Sequence, residues 1–265
     1  MLRSYHEGLA AMHAVGDRMG EAQILRSLAK FGIDEGDTER GRELLDQALA
    51  ICREVNCLRG EAQVVHQFAH LYRARGELDR SGQALRRVLS IVREIDDRIG
   101  ETYALYGLGV VQVSEGMPAE AEQTLRRALV LARRVDERLI EGETLYALGE
   151  LSLADGRTAV AAAHLTAAAQ IFDSLGSAMW QARTLAVRSS VHQVHSDLDR
   201  AATDLDRAEQ LLADLSSKEA ARWRARVRSH RMALASARPA VTMLGAIPAS
   251  GTAPASAAPV RAGAA

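Results

Sequence analysis

His66 and His70 stand four residues apart, a spacing that puts two imidazoles on one helix face and can hold a metal ion. No Glu follows His66 and no third ligand is spaced to join them, so the metalloprotease pattern is absent and the pair reads as surface decoration. Cys52 and Cys57 are the only cysteines, with neither the spacing of a zinc site nor a disulfide framework. Arg222, Arg224, Arg226, Arg228 and Arg231 offer either a phosphate contact or a solvated cationic face near a helix C-terminus. Trp223 is the single aromatic among them, and nucleic-acid binding by this chain alone is not expected. There is no glycine-rich phosphate loop, nucleophile elbow or carboxylate pair. No catalytic residue, cofactor or metal is therefore assigned, and the chain is read as non-enzymatic.

The bulk composition narrows the classes further. Of 265 residues 48% are hydrophobic but only 4% aromatic, so the packing rests on Leu, Ile, Val and Ala. Thirty-three basic residues against 34 acidic ones leave a formal charge of −1, which excludes a chain-wide nucleic-acid or membrane-binding surface. Only Lys30 and Lys218 are lysine, a bias of the kind a GC-rich bacterial genome imposes. No apolar run approaches the ~18 residues of a membrane span, and the first residues carry no signal pattern. A cytoplasmic location is expected.

The elements that must position these side chains follow from a 40-residue internal period. Gly20-Glu21 recurs as Gly60-Glu61 and Gly100-Glu101; Gly36 as Gly76, Gly116 and Gly156; Leu45 as Leu85, Leu125, Leu165 and Leu205. Fixed-period self-similarity of this length means a repeat array in which each unit buries its apolar face against its neighbours. Five helix pairs are expected within 20–214, at about 20–56, 60–96, 100–136, 140–175 and 180–214. Each first helix should close on a glycine in the left-handed region, replaced by Ser196-Asp197 in the fifth unit. One slot holds Ala29, Ala69, Gly109, Gly149 and Ser189, and another Gly41, Ser81, Ala121, Ala161 and Ala201. Small residues there let paired helices approach closely. Cys52 shares a slot with Val92, Ala132 and Phe172, which makes it a packing residue. Residues 1–16 match the second helix of a unit whose first helix is missing, as if the chain were cut from a longer array; a swapped dimer is the alternative. A capping helix is expected over 216–237, opened by a Ser216–Glu219 capping box. Residues 239–265, rich in Pro, Ala and Ser, should be disordered.

Leu108-Gly109, Gly116, Ala121, Leu125 and Ala128, and again Leu148-Gly149, Gly156, Ala161, Leu165 and Ala168, resemble the tetratricopeptide (TPR) consensus over about residues 1–215. The resemblance implies an all-α, right-handed superhelix of antiparallel helix pairs. Each unit has about six residues more than the 34-residue consensus, expected near the end of the second helix and in the following loop. The 40-residue form, with Arg93-Glu94-Ile95-Asp96-Asp97-Arg98-Ile99-Gly100, is similar to the C-terminal TPR region of bacterial transcriptional regulators of the SARP/AfsR and MalT-like types.

In TPR arrays the first helices line a concave groove. The corresponding positions here include Gln23, Val110 and the candidate ligand residues Arg26, Lys30, Gln63, His66, His70, Arg73, Tyr103, Tyr106, Glu143, Tyr146, Glu150 and Arg183. Such a groove is basic at its start, aromatic in the middle and acidic at Glu143 and Glu150. Exposed tyrosines flanked by charge suit peptide recognition, whereas the plainer reading is solvated helix faces. Arg26 and Lys30 stand where a chaperone-binding carboxylate clamp would need Lys and Asn. The resemblance implies a regulatory interaction module, the sensor or oligomerisation array of a transcriptional regulator. The alternatives are a stand-alone adaptor binding a protein or peptide in the groove, or a small-molecule sensor. The expected partner is a protein or peptide in the groove, with self-association through the N-terminal half-repeat and no membrane partner.

Overall fold

The structure, a computed structural model, describes residues 2–244, and the side-chain surroundings of residues 7–236. The described residues form twelve helices and no strand: α1 (Leu2–Val15), α2 (Arg18–Asp34), α3 (Thr38–Glu54), α4 (Leu58–Ala74), α5 (Leu78–Glu94), α6 (Arg98–Ser114), α7 (Pro118–Arg134), α8 (Arg138–Ala154), α9 (Thr158–Ser174), α10 (Ala178–Val194), α11 (Leu198–Ala213) and α12 (Lys218–Leu244). None is long and apolar enough to cross a membrane.

From α2 to α10 every helix has 17 residues and every connection three, so the 40-residue period is two near-equal halves. No lengthened loop holds the residues beyond the 34-residue consensus, contrary to expectation; they extend the helices. Each turn from α1–α2 to α10–α11 has one residue in the left-handed region. Within a pair this is Gly36, Gly76, Gly116, Gly156 and, in the fifth pair, Ser196 at φ 59°. Between pairs it is Gly16, Asn56, Asp96, Asp136 or Gly176. Asn and Asp accept this backbone better than other side-chain-bearing residues, which accounts for Asn56, Asp96 and Asp136 at the middle of their turns. Asp17, Asp37, Asp97 and Asp197 then cap the following helices by accepting backbone N–H bonds.

The period is written in the seams. A Cβ on Gly109 would lie 2.6 Å from Leu125 Cγ, and one on Gly149 2.7 Å from Leu165 Cγ, so only glycine lets α6 meet α7 and α8 meet α9 at this distance. Ala121, Leu125, Ala161 and Leu165 are fully buried. The Gly-Glu signature is an ion-pair seam between units. Arg93 Nε donates to Glu101 Oε1 at 2.8 Å and Arg133 Nε to Glu141 Oε1 at 2.9 Å. Arg53 lies 3.8 Å from Glu61, and in the fifth unit Gln181 donates to Asp173 instead.

The helix pairs wind into a right-handed superhelix. The first helices α2, α4, α6, α8 and α10 each touch the next first helix, whereas α3, α5, α7, α9 and α11 do not touch one another. The first helices therefore form the inner wall. Beyond the fifth pair, α12 packs on α10 and α11 through Ala220, Trp223, Val227 and Leu234. It continues to Leu244 rather than stopping at 237, so residues 239–244 of the expected disordered tail are helical. Ala237, Ala240, Met243 and Leu244 favour helix enough that the hydrogen bond lost at Pro239 does not end it. Residues 245–265, where the rest of the tail was expected, lie outside the described residues. The superhelix turns so far that its ends meet: Lys218 Nζ, at the start of α12, donates to the Glu35 carbonyl at 2.8 Å and lies 3.2 Å from its carboxylate.

Candidate functional site

The inner wall encloses a cavity of about 710 Å³. Of the twelve groove residues expected from sequence, Arg26, Lys30, Gln63, His66, His70, Arg73, Tyr103, Tyr106, Glu143 and Arg183 line it, with Val110. The wall is drawn from successive first helices: Arg26 and Lys30 on α2, Gln63 to Arg73 on α4, the two tyrosines on α6, Glu143 on α8 and Arg183 on α10.

Tyr146 and Glu150 do not line it, which corrects the sequence-based placement. Tyr146 is buried under the Trp180 indole in an edge-on contact at 5.5 Å. Glu150 faces α12, 3.9 Å from Arg226. The period put both on the inner wall; Trp180 and the added helix cover them. Gln23, on the same face of α2, is also absent from the lining.

Burial inside the lumen shifts several protonation equilibria. Desolvation raises the Glu143 carboxyl to about 7, against the pull of the Arg183 guanidinium and of its hydrogen bond with Tyr106. Desolvation and the neighbouring Arg73 depress His70 to about 4, although Asp34 lies 3.7 Å away. Desolvation lowers His66 too, partly offset by its hydrogen bond to the Tyr103 backbone. It raises the Tyr103 hydroxyl to about 12 and holds the Tyr106 hydroxyl well above its ordinary value. Near neutral pH both histidines are therefore uncharged and both tyrosines protonated. The groups feeling one another come from α2, α4, α6, α8 and α10: Lys30 acts on Glu143, and Arg73 and Arg183 both act on Tyr106.

Arg183 holds the far end. It stacks 3.9 Å from the Trp180 centroid and donates to Glu219 of α12 at 3.0 Å, with Tyr146 and Trp223 also against its guanidinium. Sequence reasoning missed Trp180, Glu219, Asp34, Arg59, Asp97 and Met179 as lining residues. Arg59 and Met179 share a slot 40 residues apart in multiples, a periodic signal open to the eye. Glu219 lies outside the repeats and had none.

Among the described residues no three His, Cys, Asp or Glu side chains gather in a way that could hold a metal ion. Of the C-terminal arginines, Arg226 stacks on Trp223 at 4.6 Å and Arg231 pairs with Asp206 and Glu209.

Comparison with known proteins places this architecture. The family described as the MalT-like TPR region matches residues 20–250. BtubC from P. vanneervenii superimposes with a TM-score of 0.66 at 18% identity, over 80% of this chain and 89% of that one. A signal-transduction ATPase with numerous domains and a TPR sensor, from Pyrococcus horikoshii, gives 0.61 at 13%, over 86% of this chain but only 38% of that one. A Rap protein complexed with competence and sporulation factor gives 0.64 at 16%, over 88% of this chain and 69% of that one. At these identities the likeness is one of fold. No curated protein sequence matches significantly.

Proposed function

This chain belongs to the MalT-like TPR family, and from that premise we propose that it is the sensor array of a bacterial, cytoplasmic signalling or transcriptional regulator, taking its ligand in the lumen. It is a non-catalytic regulatory interaction module. The observation that carries the reading is the convergence of ten diverse polar and aromatic side chains from five consecutive first helices on one cavity. Concave repeat surfaces are the binding faces of solenoids, and about 710 Å³ falls within the ~300–1,000 Å³ typical of small-ligand pockets. The likeness to a signal-transduction ATPase with a TPR sensor, and to a Rap protein complexed with competence and sporulation factor, supports a regulatory setting. α12 and α2 meet through one exposed side chain, so a ligand that spans the lumen has leverage on the relation of the two ends.

The test is capture from bacterial extract, split into low-molecular-weight and protein fractions, by the full chain beside a Tyr103→Ala/Tyr106→Ala/Arg73→Ala variant shown to be folded by its helical signal. A component retained by the first and lost by the second supports the lumen as the binding site. Matching eluates contradict it.

A further inference from the structure

We propose that the lumen takes a small ligand carrying an oxyanion on an apolar body, with the anion held by the Arg26 and Arg73 guanidiniums. This rests on the lumen being the binding site, as argued above.

The charges lining the cavity do not cancel in place. Lys30 is bound to Asp34 at 2.6 Å, Arg59 to Asp97 at 3.3 Å and Arg183 to Glu219 at 3.0 Å. Those pairs use three of the four lining carboxylates. The fourth, Glu143, is hydrogen-bonded to Tyr106, and its burial favours the proton-bearing form near neutral pH. Among the described residues neither Arg26 nor Arg73 has an ion-pair partner. Arg26 is half-buried, and desolvation already works against its charge. It acts on His66, and Arg73 on His70, so the two guanidiniums flank the histidines along the wall that α2 and α4 share. Both histidines stay neutral beside them, adding hydrogen-bonding capacity without competing charge.

The half-buried Arg26 guanidinium, held without a counter-charge, costs free energy that an arriving carboxylate or phosphate returns, and the exposed Arg73 adds a second cation to the same lining. Arg is also suited to grip such a group with two parallel N–H bonds. The same cavity has an apolar and aromatic lining from Tyr103, Tyr106, Val110, Ile140 and Trp180. A freely hydrated anion such as inorganic phosphate would leave that wall unused, whereas an anion joined to a ring or aliphatic body fills both.

Thermal unfolding and calorimetry on the full chain, at constant ionic strength, decide the matter. The probes are phenyl phosphate, phenylacetate, inorganic phosphate and 2-phenylethylamine, with sodium chloride as reference. One or both aryl anions should raise the unfolding midpoint above the reference and above inorganic phosphate, with 2-phenylethylamine inert. The stronger aryl anion tells phosphate from carboxylate recognition. Arg26→Gln/Arg73→Gln should weaken that binding at least about tenfold, the loss of one charge-assisted contact, while Arg127→Gln on the outer face leaves it unchanged. Should the double variant not fold, Arg26→Gln and Arg73→Gln are read singly. The inference is overturned if no anion-specific shift appears, if the amine binds as well as the anions, or if the arginine variants bind like the parent. A captured component that is neutral or cationic overturns it while leaving the sensor reading standing. Aryl-anion binding with matching extract eluates does the reverse.

Discussion

The seams between helices and the inner wall of the lumen are built from the same five repeats, yet they obey opposite rules. In the seams one slot carries one kind of residue throughout: Leu45, Leu85, Leu125, Leu165 and Leu205 are all buried within 2% exposure. On the inner wall the slots change along the array. Arg26 becomes His66, Tyr106, Tyr146 and Ala186; Gln63 becomes Tyr103, Glu143 and Arg183. Seam slots repeat because every pair must solve one packing problem. Where wall slots stay out of that packing they are free to differ, so Arg26, His66 and Tyr106 bring three chemistries to one cavity, whereas Tyr146 and Ala186 in the same slot are drawn into the core. The period makes the fold, and the departures from it make the site.

The comparison breaks most easily at the seam. Leu125→Ala, which leaves a cavity against Gly109, should cost about 2–5 kcal/mol in a denaturant titration, and Ala121→Leu, which overpacks the same seam, about 1–3 kcal/mol.

The wall should show itself next, in pH dependence. Glu143 is raised to about 7 from its ordinary value near 4.5, so the folded chain holds a proton the unfolded chain gives up; this group's contribution falls as pH rises from about 4.5 to 7. His70 is depressed to about 4 from 6.5, so the unfolded chain takes up the proton first and its contribution falls as pH drops from 6.5 to 4. The two slopes oppose each other between about 4.5 and 6.5. Relative to the parent, Glu143→Gln should steepen the loss of stability on acidification, and His70→Gln should flatten it. Stability measured at intervals from pH 4 to 8 checks both, and identical profiles would remove these groups from a desolvated wall.

The smallest effect returns to the repeat rule. Cys57 occupies the helix-capping slot of Asp17 and Asp97 but offers only a 3.3 Å thiol contact to the Gly60 N–H, against 2.8 and 2.9 Å from the carboxylates. Cys57→Asp should stabilise by about 0.5–1 kcal/mol, read from the shift of the urea midpoint.

How much of this was legible in the sequence follows from the same division. The glycine turns, the small crossing residues and the buried leucines could be read because the period repeats them, and the first-helix positions that face inward follow from the period as well. Tyr146 and Glu150 were misplaced because Trp180 and the non-repeating α12 decide their surroundings. The meeting of Lys218 with Glu35 had no local signal: it depends on the summed rotation of five pairs. The helix past Pro239 was hidden by composition, since Ala-rich sequence between prolines suits helix and disordered tail alike.

The most direct test of the division copies one wall onto another. Arg26→His with Lys30→His gives the first unit the His66 and His70 of the second and touches no seam slot; Gln23 and Gln63 already agree, while the counterpart of Arg73 is the buried Ile33 and is left in place. Calorimetry with the preferred aryl anion, beside a urea titration, measures both halves of the claim. The account predicts stability within about 1 kcal/mol of the parent, the scale of the exposed Lys30–Asp34 pair, together with loss of anion binding. Destabilisation on the scale of Ala121→Leu, or unchanged binding, would contradict it.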